Sequence, residues 1–131
     1  MKKRNRAARI LVALGAVVLI ASAMLHSLVA YPRGSPVLSA SNLSAPVQAA
    51  FRAVFLMVGW DWIVIAVVAL LAAFTETKLR KALVLWCGVA ALGQTGLMLA
   101  FIGAFAGSMM IGFAALLLFC GGLLFGKTQE G

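Results

Sequence analysis

Four long apolar stretches run along the chain, separated by short polar or glycine-containing segments. The stretches cover approximately residues 8–30, 46–74, 79–102 and 105–126. A helix of about 20 apolar residues is long enough to cross the hydrocarbon core of a bilayer. The pattern therefore predicts an all-α fold: an integral membrane four-helix bundle, antiparallel and up-and-down, with short loops. Because no soluble segment interrupts it, we expect residues 1–131 to form a single transmembrane domain.

The segments between the stretches contain residues that end helices. Pro32, Gly34 and Pro36 lie close together among several serines, and this density of helix breakers predicts an outer loop over residues 31–45. A polar turn follows the second stretch at residues 75–78, and glycines at 103 and 107 predict an uncharged hairpin before the last helix.

The first stretch also has the features of a secretory signal, with a basic start, an apolar core and a small-residue cleavage motif at Ala21-Ser22-Ala23. Hydrophobic residues continue past Ala23 to Ala30, as a spanning helix requires. We therefore expect the first helix to stay uncleaved, with cleavage after Ala23 as the alternative.

Composition places the chain outside the soluble class. Of its 131 residues 64% are hydrophobic and 11% are charged, and the mean hydropathy is +1.09. Soluble domains are roughly 45–50% apolar and 25% charged. The net charge of +8 does not indicate nucleic-acid binding, because the basic residues cluster at the ends of the apolar stretches. There they contact lipid headgroups and set the topology.

The basic residues are unevenly divided between the two sides of the predicted membrane. With four spans, the N-terminus, the second loop and the C-terminus share one side. That side carries nine of the eleven basic residues: Lys2, Lys3, Arg4, Arg6, Arg9, Lys78, Arg80, Lys81 and Lys127. Only Arg33 and Arg52 fall on the other side. The positive-inside rule predicts an inner (cytoplasmic) membrane protein with both termini in the cytoplasm.

Asp61 is the only acidic residue inside an apolar stretch. An ionisable group there is costly and indicates a functional site when a partner exists. His26, near the outer end of the first helix, is the candidate partner, and Gln94 would complete the shell around Asp61. Trp60 and Trp62 flank the acid, and we interpret them as interfacial anchors in preference to ligand-stacking groups.

Two hypotheses follow for this candidate intramembrane polar site. In the first it handles protons or binds a ligand at the outer face. In the second it is a polar clasp that holds two helices together, a contact worth only about 0.6 kcal/mol on average in membranes.

The sequence lacks the residue sets that most membrane enzymes need. A single histidine cannot supply a pair of haem ligands, and three acids in all cannot build a carboxylate metal cage. Cys87 and Cys120 stand singly and are interpreted as packing residues. We therefore predict no catalytic residues, no metal and no cofactor, and we favour a non-enzymatic role.

The segments Ala23-Met24-Leu25-His26 and Gly59-Trp60-Asp61-Trp62, set in four short helices, resemble small four-helix bacterial integral membrane proteins of unknown function. The small multidrug transporters also have four helices but carry a glutamate in the first helix, which this chain lacks. We expect a structural or accessory subunit of a membrane complex, with the bilayer and other membrane subunits as partners. The alternative is a small oligomeric transporter or ligand-binding protein that uses His26 and Asp61.

Overall fold

The computed structural model describes residues 2–125, and its regular structure in that range is entirely helical. A long first helix, α1, is followed by a five-residue π-helical turn and by four further helices. The elements are α1 Lys2–Leu25, the π-turn His26–Ala30, α2 Tyr31–Ser39, α3 Ala45–Phe74, α4 Arg80–Phe101 and α5 Ala106–Leu124. Four helices are long and apolar enough to cross a membrane, the first running without a break from Lys3 to Ser39.

The structure differs from the predicted outer loop over residues 31–45, because residues 31–39 are helical and only 40–44 form the loop. Pro32 has no N–H, so the carbonyl of Leu28 lacks the donor that a regular helix would give it. The wider π-turn lies directly before this proline, and the N–H of Tyr31 donates to the carbonyl of His26. The helix therefore continues past the proline instead of ending there.

The other predicted helices lie close to the observed ones. α3 begins at Ala45 and ends at Phe74, and α4 covers Arg80–Phe101. α1 starts earlier than predicted, so that its basic residues form the first turns of the helix itself. Gly103 adopts a positive φ of 92° in the turn between α4 and α5, which only glycine tolerates easily. The predicted end of the last helix, at residue 126, lies outside the described residues.

The four long helices form a ring in which α1 packs against α3 and α5, and α4 packs against the same two helices. The backbones of neighbouring helices come close to each other between α4 and α5 and between α5 and α1. A Cβ on Gly88 of α4 would lie 2.8 Å from the backbone nitrogen of Phe119 on α5, and one on Gly121 would lie 3.2 Å from the carbonyl oxygen of Ala8 on α1. Small residues at these points let the backbones approach closely.

Small residues fill the centre of the ring, and large apolar residues cover its outside. Ten of the buried core residues are alanines: Ala8, Ala16, Ala23, Ala66, Ala69, Ala72, Ala73, Ala91, Ala114 and Ala115. Large side chains such as Trp86, Phe101 and Ile102 are at least 70% exposed. This distribution is the reverse of a soluble core and suits helices whose outer surface faces lipid.

Charged groups join three helices at the end of the ring where α1 begins. Arg9 donates from Nε to the carbonyl of Ala73, at 3.2 Å, and its Nη2 lies 3.4 Å from Glu76 Oε1. Arg80 Nη2 lies 3.2 Å from the same oxygen. Glu76 thus links the start of α1 to the start of α4, just beyond the end of α3.

Candidate functional site

His26 is the first residue of the π-turn and is fixed against α3. Its Nε2 lies 2.8 Å from the backbone carbonyl oxygen of Phe55. Because a carbonyl only accepts hydrogen bonds, Nε2 carries the proton and donates it. The imidazole also stacks on the Phe55 ring, at 3.9 Å between centroids, and meets the Trp62 ring edge-on at 5.1 Å. Nδ1 has no hydrogen-bond partner among residues 2–125.

Gly59 provides the space for the π-turn to approach α3. It is buried, and a Cβ added to it would lie only 2.7 Å from Ser27 Oγ and 3.5 Å from the His26 ring. An added Cβ would require the Ser27 hydroxyl to rotate, whereas the His26 ring and the carbonyl oxygen of Ala23, at 3.5 and 3.6 Å, would stay at ordinary contact distances. Gly59 therefore lets the π-turn lie close to α3.

Trp62 and Gln94 connect α3 to α4. The indole N–H of Trp62 donates to Gln94 Oε1 at 2.7 Å, and Trp62 is only 2% exposed. Trp62 is therefore a core residue with a satisfied polar group, and the interfacial position that we expected for it is not observed. Trp60 is 65% exposed and lies on the outside of the ring.

Asp61 lies apart from the rest of the predicted polar site. Its side chain is exposed and forms no hydrogen bond or ion pair with any described residue. The two groups predicted as its partners have other contacts, since His26 donates to the Phe55 carbonyl and Gln94 accepts from Trp62. Arg52, the basic residue of the same helix, donates to Ser39 Oγ. Successive helical residues are about 100° apart, so an inward Trp62 turns Asp61 away from the ring.

A cavity of about 380 Å³, called the outer cavity after the predicted outer loop, opens beside His26 at the end of the ring opposite Arg9 and Glu76. Its wall is mainly apolar and includes the side chains of Leu25, Val29, Met98, Met110 and Trp62. The lining residues are Ser22, Leu25, His26, Val29, Ala30, Arg33, Trp62, Met98, Phe105, Ala106, Gly107 and Met110. Such a volume lies at the lower end of the roughly 300–1,000 Å³ of small-molecule sites.

Of the twelve lining residues, sequence reasoning assigned only His26 and Trp62 to the candidate site, because the cavity depends on which faces of the helices meet. Arg33 was missed because residues 31–45 were predicted to form a loop. Ser22, His26, Val29 and Arg33 are spaced at intervals of three or four, which puts them on one face of a continuous helix. The signal was present in the sequence, but Pro32 appeared to end the helix. Within the described residues no group of three or more His, Cys, Asp or Glu side chains is placed to hold a metal ion.

The fold and the site together define an all-helical chain with four helices apolar enough to cross a membrane and a cavity at one end. Comparison with protein families, with curated proteins and with solved structures gives no match for this chain. Its function is therefore argued from its own residues.

Proposed function

We propose that the chain is an integral membrane protein with four antiparallel spans that acts as an accessory subunit of a membrane complex. Contacts between helix ends support the antiparallel arrangement. Arg9 at the start of α1 bonds to Ala73 at the end of α3, whereas His26 beyond the end of α1 bonds to Phe55 in the first half of α3. The outer surface of the ring is apolar, which supports the proposal that lipid surrounds it.

The distribution of basic residues supports an inner membrane location with both termini in the cytoplasm. The ring end that contains Arg9 and Arg80 also contains Lys78 and Lys81, whereas the opposite end contains Arg33 and Arg52. Lys127, counted with the cytoplasmic side from the sequence, lies outside the described residues. Lysine and arginine concentrate on the cytoplasmic side of membrane proteins.

The observation that supports the accessory role is the exposed Asp61 carboxylate on the outside of α3. From Phe74 to Asp61 the helix rises roughly 20 Å at 1.5 Å per residue, whereas the hydrocarbon core is about 30 Å thick. With Phe74 at the inner edge, this count puts Asp61 within the core, about 10 Å from its outer edge. An aspartate at the centre of a spanning helix costs about 2.5–3.5 kcal/mol on the insertion scale and less towards the edge, so a partner at this depth would remove part of that penalty.

The partner that fits Asp61 is a spanning helix of another protein that carries a lysine or arginine at the same depth. A second copy inserted in the same direction does not supply such a group. Arg52, the nearest basic residue along α3, would lie roughly 14 Å further out. Charge complementarity therefore favours a heteromeric contact on the α3 face that Asp61 and Trp60 form.

Photo-crosslinking in intact cells tests this contact. A benzoylphenylalanine at position 60 lies beside Asp61, and the same group at position 86 lies on the exposed face of α4 as a matched control. We expect the group at position 60, but not the group at position 86, to crosslink to a different membrane protein. Asp61→Asn should abolish this crosslink. The captured protein must carry a basic residue in a span, and exchanging the two charges between Asp61 and that residue must restore the crosslink. Capture of a second copy alone would contradict the proposal.

A second candidate function is the binding of a small ligand at the outer cavity. The observation that favours it is the cavity itself, with His26 and Arg33 in its wall. Asp61 has no part in this site, since it lies on the outside of α3.

A further inference from the structure

We propose that the outer cavity binds a single-chain amphipathic anion, with its apolar chain between the helices and its carboxylate or phosphate head at Arg33. The inference rests on the second candidate function, ligand binding, and assigns a chemical class to the ligand.

The cavity walls fit an apolar chain. Leu25 and Val29 line one side, and Met98 and Met110 line another. Methionine side chains are flexible and adapt to chains of different shape. A volume of about 380 Å³ accommodates one chain and leaves no room for the two chains of a phospholipid together.

The charge of the wall favours an anionic head. Arg33 is the only lysine, arginine, aspartate or glutamate among the lining residues, and it is exposed. It forms no hydrogen bond or ion pair with the described residues. The described acids lie elsewhere, since Glu76 pairs with Arg9 and Arg80 and Asp61 faces outward. The guanidinium is thus free to form charge-assisted hydrogen bonds with a carboxylate or phosphate.

The geometry along the first helix places the head and the chain at different depths. Ser22, His26 and Arg33 lie in that order along one face. Eleven residues separate Ser22 from Arg33, or roughly 16 Å of helix. A head bound at Arg33 therefore leaves that depth of cavity for the chain. His26 is held in place by its bond to Phe55, so it lines the cavity without closing it.

Arg52 provides a matched control for Arg33. It also lies at the outer end, but it donates to Ser39 Oγ and lines a separate cavity of about 200 Å³. Replacing either arginine with glutamine removes one positive charge from the same end of the molecule. Only the Arg33 replacement removes it from the proposed site.

Fluorescence quenching of Trp62 tests the proposal, because Trp62 lines the cavity whereas Trp60 and Trp86 face outward. The Trp60→Phe, Trp86→Phe double variant of the full chain, in phosphatidylcholine nanodiscs, leaves Trp62 as the only indole. The probe is dodecanoate brominated at its terminal carbon, and the matching bromododecanol is its neutral twin. A separate sample contains phosphatidylglycerol with brominated chains and no free probe.

We expect saturable quenching by the carboxylate, with an affinity about tenfold higher than that of the alcohol. Arg33→Gln should remove this preference and Arg52→Gln should keep it. Filling the cavity with Ala30→Phe should abolish quenching, whereas Ala90→Phe on the exposed side of α4 should not. Quenching in the phosphatidylglycerol sample that Ala30→Phe removes would put a chain of a two-chain lipid in the cavity and would contradict a single-chain ligand. Quenching by the carboxylate without such lipid quenching supports a free single-chain amphiphile.

Two further results overturn the proposal in distinguishable ways. Equal affinity for the alcohol and the carboxylate, or an unchanged preference in Arg33→Gln, contradicts the assigned ligand class and leaves ligand binding intact. The absence of saturable quenching by every probe contradicts ligand binding itself. Neither result depends on the partner proposed for Asp61.

Discussion

At position 59 of α3 an added side chain would meet the Ser27 hydroxyl of the π-turn. A Cβ there would lie 2.7 Å from Ser27 Oγ, closer than real Cβ atoms approach a neighbour. Gly93, on α4, has nothing within 4 Å of the same position. Comparing the same substitution at Gly59 and at Gly93 therefore distinguishes the effect of this contact from the effect of alanine on helix stability.

Gly59→Ala should therefore lower the free energy of unfolding by at most about 1 kcal/mol, because rotation of the Ser27 hydroxyl relieves the contact and the other nearby atoms lie at 3.5 Å or more. Gly93→Ala should be neutral or up to about 1 kcal/mol more stable, since alanine favours helix. Removing the Ser27 hydroxyl with Ser27→Ala should reduce the cost of Gly59→Ala. Denaturant titration in mixed micelles measures all three, and equal effects at the two glycines would exclude the close contact.

The Trp62–Gln94 hydrogen bond gives a second prediction at the scale of single residues. Gln94→Leu should cost about 0.6–1.7 kcal/mol, the range measured for polar contacts between membrane helices. The reason is that the buried indole N–H loses its acceptor. In a Trp62→Phe background the same substitution should cost less. Unfolding titrations of the four variants form a double-mutant cycle, and a coupling energy of zero would contradict the bond.

Three of the five residues in the predicted polar site lie together in the structure, and two do not. His26, Trp62 and Gln94 were named from the sequence, and the structure joins them through the hydrogen bond from Trp62 to Gln94 and the ring contact between His26 and Trp62. Trp60 and Asp61 were named with them but lie on the outside. Helical spacing separates neighbouring side chains by direction, but it does not say which direction faces the other helices.

At the scale of helices, the main difference from the sequence prediction is the continuous rod from α1 through the π-turn to α2. Proline stops a helix when no local change compensates for the missing N–H. Here the π-turn precedes Pro32 and the helix continues to Ser39. Because the helix continues, Arg33 has a fixed position in the cavity wall. A flexible loop would not hold it there.

The Glu76 contacts at the inner end give a prediction about how α1, α3 and α4 are held together. The Glu76 side chain is 85% exposed, so Glu76→Gln should cost less than about 1 kcal/mol and lose its effect at high salt. Arg9→Ala should cost more, because Arg9 also donates to the Ala73 carbonyl and packs over the Phe74 ring. Unfolding titrations at low and high salt measure both, and equal costs would contradict this ranking.

At the scale of the whole molecule, the ring has small residues inside and large apolar residues outside. In water this distribution would expose far more apolar surface than a soluble protein tolerates. In lipid the outer surface needs no polar side chains, and the association of the helices depends on close packing of their backbones. The arrangement of size and polarity thus supports the membrane location more directly than composition alone.

Cysteine labelling in intact cells tests the proposed topology. In a background with both native cysteines replaced by alanine, Asn42→Cys in the outer loop should react with a membrane-impermeant maleimide. Thr77→Cys, in the turn between α3 and α4, should react only after the cells are opened, because the proposed topology puts the basic end of the ring in the cytoplasm. The reverse pattern would show that the protein is inserted in the opposite direction.

The sequence by itself determined the helical class and the number of long apolar helices, because hydrophobic length and polar interruptions act locally along the chain. The bounds of α3, α4 and α5 lie within two residues of the predicted ones, whereas the first helix extends further at both ends. Only the tertiary structure decided which faces meet. It placed Trp62 inside, left Asp61 on the outer surface, and joined α2 to α1 so that Arg33 reached the cavity. In a chain that is apolar on nearly every face, hydrophobic pattern cannot mark the inner side. Close packing of small residues selects it instead, and that selection depends on all the helices together.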